Sequence, residues 1–371
     1  MARCTGRLGR RSALAALAAL LPAALAFAIP HGGSASGRGP VITPTAARLV
    51  LAAVWGKREL ARTSDDADAI KALDTSPELA RDMSVTIEAR DRGGWSQRVQ
   101  RPLERSVVLV PQQMRFPASF LAVVQTTSQW SASPVSHTPA GLATALLVFT
   151  RASRSATWRV AMETNYHGTI EQTSVGLDLG AFAAPATFSA PASQPAWTSP
   201  ARAIRELAAF YEHYAEDGVA PPHSPFLPSY WTTGQGEQIA AVGLNGQVSP
   251  RGFRNHVTYT TDLAADGLYQ FGLGAMNLTC GTVRGREIAK PAEAGGYLNQ
   301  PADRANWGGW LAPGAYSRIT SALMHQVCLV IAPTSFGGIQ AISGDDEDDD
   351  LNVVGALLFR YPPDSPPGQA Q

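Results

Sequence analysis

The residues whose types and spacing could do chemistry gather in the C-terminal half of this 371-residue chain. Trp307-Gly308-Gly309-Trp310 lies in a long loop ending at Pro313-Gly314. Two indoles on a Gly-Gly hinge could stack on a sugar or grip a partner, or they could fold over a sheet edge and complete a core. Trp307 and Trp310 are therefore candidate ligand-binding residues. Asp345-Asp346-Glu347-Asp348-Asp349-Asp350 is the most conspicuous charge run. Carboxylates suit hard cations, which makes Asp345, Asp346, Asp348 and Asp350 a candidate calcium set. The run lacks the alternating spacing and the glycine of a calcium loop, so it reads as a solvated hairpin loop without a metal.

Other chemistries find less support. His167, His213, His256 and His325 are scattered, and no two share metal-ligand spacing such as i, i+4. Gly176-Leu177-Asp178-Leu179-Gly180 has Asp where a nucleophile elbow needs Ser. Gly234-Gln235-Gly236 precedes a short helix, but no third glycine and no Lys-Ser/Thr follows, so it reads as a helix entry. No catalytic residue, cofactor or metal is assigned from these patterns.

The elements that must position these residues follow from periodicity. Thr43-Pro44 is a helix start, with a capping hydroxyl and proline at the first helical position. Leu49, Val50, Ala53 and Val54 recur at helical spacing, and further helical pieces carry Ile70 and Leu73, then Leu79 and Met83. Strands follow at Val107 to Val110, Phe120 to Val124, Leu146 to Phe149 and Trp158 to Met162. Residues 183–199 are rich in Ala, Pro and Ser and read as a linker. Ser199-Pro200 opens a helix with Ile204, Leu207, Ala208 and Tyr211 on one face, and a short helix covers Gln235 to Val242. Strands are expected at Val257 to Thr261, Leu268 to Val283, Ile319 to Ile331, Ile339 to Ile342 and Val353 to Phe359.

Helices first and an antiparallel meander afterwards is an α+β plan. It predicts two domains, 43–182 and 200–361, each with N-terminal helices followed by a curved antiparallel sheet, and a disordered tail at 362–371. Both halves share the order helices then strands, which is compatible with a duplicated fold.

The N-terminus points to export. Arg3, Arg7, Arg10 and Arg11 precede an Ala/Leu run from Ser12 to Ala28 that ends in the small-x-small triplet Ala26-Phe27-Ala28. These are the three parts of a secretory signal at 1–28. The Arg10-Arg11 pair also permits the twin-arginine route. Retention as a membrane anchor is the alternative, although the run is short for a span and contains Pro22. Residues 29–42 then form a flexible stalk. The location expected is extracytoplasmic, secreted or associated with the cell envelope. Formal net charge is zero, which gives no electrostatic grip on nucleic acid. Hydrophobic residues make up 45%, enough for real cores.

Cys4 leaves with the signal, and Cys280 and Cys328 remain in an oxidising compartment. Both fall in predicted strands of the second domain. A Cys280–Cys328 disulfide is expected, the alternative being two buried free thiols.

Three stretches carry a resemblance: 69–82, with its acidic turn, proline and leucine-bearing helix; Phe116-Pro117 leading into the strand at Phe120; and Leu146 to Arg151 with Trp158-Arg159-Val160. The late stretch from Ser317 to Pro333 adds to it. They resemble an uncharacterised family of bacterial exported proteins and lipoproteins, although this chain lacks a lipidated cysteine. The resemblance implies a cone-like sheet, similar to that of nuclear-transport-factor and ketosteroid-isomerase relatives, for the first domain. It implies no known activity. An isomerase-like cone could place an acid base with a burial-raised pKa in a pocket, and Asp178 and Glu163 lie near strand ends. The function expected is a non-enzymatic exported module that binds a small molecule, a cell-wall polymer or an envelope protein. It would meet the membrane only through an uncleaved signal. The alternatives are a small-molecule enzyme with an isomerase-like pocket and a scaffold subunit of an envelope complex.

Overall fold

A computed structural model describes residues 40–83, 100–127, 142–166, 199–273, 276–300, 314–331 and 339–344. Helix α1 (Pro44–Thr63) starts as its sequence requires: Thr43 caps it by accepting from the Ala46 amide at 3.2 Å, and Pro44 occupies the first turn. Asp66 caps α2 (Ala67–Leu73) in the same manner. A third helical turn, α3, covers residues 78–83. Strands β1 (Leu103–Leu109), β2 (Ala118–Thr127), β3 (Leu142–Arg151) and β4 (Arg159–Tyr166) follow as an antiparallel meander.

The second half repeats this plan with additions. Ser199 caps α4 (Pro200–Asp217), and Gly218, in the left-handed conformation at φ 75°, ends it. A π-helical turn (Tyr230–Gly234) leads into α5 (Gln235–Val242). Strand β5 (Phe253–Thr260), the turn α6 (Leu263–Asp266), β6 (Tyr269–Leu273) and β7 (Met276–Pro291) come next. The short pair β8 (Leu298–Gln300) and β9 (Gly314–Tyr316) precedes β10 (Ile319–Ile331) and β11 (Ile339–Gly344). The single strand expected from Leu268 to Val283 is instead a hairpin, β6 against β7, with Leu273 opposite Met276. Gly272, within β6, interrupts the apolar run just before that reversal.

One sheet runs through both halves in the order β1-β2-β3-β4-β11-β10-β7-β5, with β6 paired to β7 off this path. The order is palindromic. Each half contributes its strands from the outer edge inward, and the two last strands, β4 and β11, meet through Asn165–Gly344 and Tyr166–Ser343. Side chains alternate between two faces. On the outer face of the first half, Val108, Phe120, Ala122, Leu147 and Phe149 pack under Leu51, Val54 and Trp55 of α1. On the outer face of the second half, Val257, Tyr259, Val283, Leu323 and Val327 pack under Ile204, Leu207 and Tyr211 of α4. The inner faces share one core, in which Leu121, Val123, Leu146 and Val148 meet Phe271, Leu278 and Val330.

Cys280 and Cys328 lie in that shared core, directly opposite each other on β7 and β10, with Cα atoms 4.1 Å apart. They form a disulfide, well inside the reach of about 7 Å that a bridge requires. Closing a span of 48 residues contributes about 4 kcal/mol in the loop-entropy account. The outer edge of β5 is blocked by side-chain mimicry: the Asn245 amide donates to Val257 O at 2.9 Å and its carbonyl accepts from Val257 N at 2.7 Å.

Candidate functional site

The buried stripe of α1 begins apolar and ends charged. Ala47, Leu51, Val54 and Trp55 give way at the same helical spacing to Arg58, Glu59 and Arg62. After α2, the chain turns at Asp74, where the Thr75 amide donates to Val160 O of β4 at 2.8 Å and ties the turn to the sheet. Helix α3 then buries Glu78, Arg81 and Asp82, the i, i+3 and i+4 positions of one face. Leu79 and Met83, the residues expected inward, are only half-buried. Strand β4 adds Glu163, the segment before β1 adds Arg101, and β10 adds Gln326.

These residues form one continuous network. Arg58 is fully buried, and its guanidinium pairs with Asp74 (Nε–Oδ1 2.7 Å), Asp82 (3.1 Å), Glu78 and Glu163. Arg62 grips Asp82 bidentately at 2.7 and 2.8 Å and reaches Glu78 at 3.0 Å and Glu163 at 2.8 Å. Arg101 holds Glu59 through its backbone amide (3.0 Å), Nε (3.1 Å) and Nη2 (2.7 Å), and touches Glu163 at 3.1 Å. Arg81 donates to the Glu163 carbonyl at 2.9 Å. Where the β4–β11 ladder does not reach, side chains replace it. The Glu163 amide donates to Gln326 Oε1 at 3.1 Å and to Glu78 Oε2 at 3.2 Å, and Gln326 Nε2 donates to Glu78 Oε2 at 2.9 Å. Bidentate guanidinium–carboxylate geometry of this kind offsets the cost of taking the charges out of water.

The electrostatics follow from these contacts. Burial alone would raise the Glu163 carboxyl, but Arg62, Arg58, Arg101 and Arg81 outweigh it and hold the group well below the usual carboxylate range. Asp82 is lowered in the same way, burial being overcome by Arg62 and Arg58. At Glu59, the Arg101 hydrogen bond and charge overcome burial and lower the carboxyl. Asp74 goes the other way: burial pushes it up to about 9 against the pull of Arg58. Glu163 was the candidate for a base with a burial-raised pKa. That expectation is corrected, because a carboxylate locked ionised between guanidiniums is a poor proton acceptor at neutral pH.

The network reaches the surface beside α1. An open cleft of ≈ 510 Å³ is lined by Ala52, Trp55, Gly56 and Glu59 of α1 and by residues 100–103. Two of its lining residues are tied together: Trp55 Nε1 donates to Arg101 O at 2.9 Å, and the Arg101 guanidinium lies 5.1 Å from the centre of the indole. Glu59 and Arg101 satisfy each other, so the surface left for a ligand is mainly apolar. Nothing lies within 4 Å of where a Cβ on Gly56 would sit.

The residues singled out in the sequence fall elsewhere. Trp307, Trp310, Asp178, His167 and the run Asp345 to Asp350 lie outside the described residues. His213 pairs with Asp217 on α4 at 3.0 Å. His325, on β10, is buried beside the rings of Tyr211 and Tyr259, and burial lowers it to about 4, so it is neutral at pH 7. Among the described residues no cluster of His, Cys, Asp and Glu has the arrangement of a metal site. No described helix is long and apolar enough to cross a membrane. Sequence reading missed the ion network, although Arg58, Glu59 and Arg62 continue the Leu51–Trp55 stripe at helical spacing, which was its available signal. Comparison with protein-family models, with curated proteins and with solved structures finds no match for this chain.

Proposed function

We propose that the chain is an exported, non-enzymatic binding module of the cell envelope, built as two α+β lobes, the first cone-like. Its ligand is a small molecule, a cell-wall polymer or an envelope protein. The observation that carries this reading is the fate of the acids in the first half. Every described buried carboxyl between residues 40 and 166 (Glu59, Asp74, Glu78, Asp82 and Glu163) is paired with a guanidinium. A cleft lined by Trp55 and by a Glu59–Arg101 pair that satisfies itself offers mainly apolar contact area. That suits binding better than proton transfer.

The outer face of α1 favours a second reading, a subunit of an envelope complex. Leu49 and Leu60 are 69% and 57% exposed on the face that also carries Ala52, Ala53 and Gly56. One experiment addresses both. The protein is purified gently from its host after export and weighed by native mass spectrometry, alongside Gly56→Trp, which fills the cleft without a steric clash at Cβ. A bound mass lost in the variant supports the binding module, and a stoichiometric protein partner supports the subunit. A wild-type protein that carries nothing, or a bound mass unaffected by Gly56→Trp, overturns the assignment to this cleft.

A further inference from the structure

We propose that one end of the first-half sheet, formed by the β1–β2 connection and the β3–β4 turn, is a docking surface for an anionic lipid membrane. Strand register brings the two segments together. Ala118, at the start of β2, pairs with Arg151 at the end of β3, and Thr150 pairs with Arg159 at the start of β4. Arg115, Arg154 and Arg159 are exposed at this end, and Arg151 is half-buried. No acidic residue occurs from 105 to 127 or from 142 to 162. Among the described residues, Arg115, Arg154 and Arg159 make no ion pair. Asp74 lies beside Val160 but is buried and paired with Arg58. A chain of zero net charge thus carries a local concentration of positive charge.

Arg151 organises this end. Its Nε donates to Ala156 O at 2.7 Å and its Nη2 to Arg154 O, which closes the turn around the guanidinium. The same guanidinium lies 5.6 Å from the ring centre of Phe116 and 6.0 Å from that of Trp158. Trp158 in turn packs edge-on against the buried Phe120 at 5.1 Å. The turn that carries Arg154 is therefore fastened to the core.

Apolar surface accompanies the charge, and it decides the partner. Met114 is 55% exposed next to Arg115, and Phe116 and Trp158 are half-buried. A soluble polyanion needs cations alone. Arginines interleaved with methionine and aromatic side chains suit the boundary between headgroups and acyl chains, where guanidiniums reach phosphate and the apolar groups enter beneath it. This surface is separate from the cleft, because Leu103 of the cleft lining pairs with Thr126 at the other end of β2. It gives the fold a means of meeting a membrane that needs no uncleaved signal.

The test is co-sedimentation of the protein, purified after export, with vesicles of phosphatidylcholine alone or mixed with phosphatidylglycerol. The protein partitions more strongly onto the anionic vesicles at about 0.1 M salt, and the preference disappears at about 1 M, where the screening length falls to about 3 Å. Each arginine near an anionic surface strengthens binding about fivefold, so Arg115→Gln combined with Arg154→Gln and Arg159→Gln weakens partitioning about a hundredfold. The three side chains are exposed, so this variant melts with the wild type, and both share the same N-terminus. Met114→Ser weakens partitioning several-fold. Should the triple variant melt early, Met114→Ser and the salt dependence decide the matter. Equal partitioning of the wild type onto both kinds of vesicle overturns the proposal, as does a folded triple variant that binds like the wild type. So does full-strength binding by Met114→Ser, which together with arginine-dependent binding of polyphosphate assigns the surface to a soluble polyanion instead.

Discussion

Helices α1 and α4 begin alike and end differently. Both start at a hydroxyl cap followed by proline, and at the same distance downstream one carries Leu51-Ala52-Ala53-Val54-Trp55 and the other Leu207-Ala208-Ala209-Phe210-Tyr211. Both lay that stripe on the outer face of their half of the sheet. One turn later the first places Arg58 inward and the second Tyr214. In the first half the space beneath the helix end is filled by ions. In the second it is filled by rings: Phe210 with Tyr211, Tyr214 and Phe226, and Tyr211 with Tyr259. The same helix-on-sheet frame thus closes in two ways. The aromatic solution needs shape alone, whereas the ionic one needs a partner for every charge.

This contrast can be broken at its hub. Arg58→Met, similar in length but uncharged, leaves Asp74, Glu78, Asp82 and Glu163 short of a partner and should cost about 3–5 kcal/mol in chemical denaturation. A loss below about 1 kcal/mol would show that the ions are not integral to the first half. The shared core comes next. Removing the bridge as Cys280→Ala with Cys328→Ala should cost about 2–4 kcal/mol, read as a lower denaturant midpoint. An unchanged midpoint would mean that the pair adds nothing beyond packing.

The smallest change sharpens the aromatic side. The ring of Tyr214 occupies the place where a Cβ on Gly236 would project. Gly236→Ala should therefore destabilise by about 1–3 kcal/mol through overpacking. Gly56→Ala, on the open face of α1, should cost nothing and can gain about 0.5–1 kcal/mol from helix propensity. Thermal melts of the two alanine variants moving in the same direction would sink the comparison.

Much of the frame was legible because it rests on local rules. Thr43-Pro44 and Ser199-Pro200 announce α1 and α4, and the expected bounds of α5 and β10 coincide with those observed. The disulfide was legible by elimination, and the β7–β10 register then set the two cysteines opposite each other. The β6–β7 hairpin was not, because apolar residues on both sides of a glycine read as one strand. Nor was the ion network. Arg58 and Glu163 are 105 positions apart, and Glu78 and Gln326 are 248 apart. Lys, Arg, Asp and Glu on a helix are normally solvated, so residue type alone argued the wrong way.

By itself, the sequence determined the caps, the strand periodicities, the α+β order and the placing of Cys280 and Cys328 in strands. Those properties depend on neighbours a few residues away. Only the tertiary structure decided that one sheet joins the two halves, and that Arg58 of α1 is buried among carboxyls drawn from the turn after α2, from α3 and from β4. Charge balance in a low-dielectric interior depends on which groups meet, and that meeting exists only once the chain has folded.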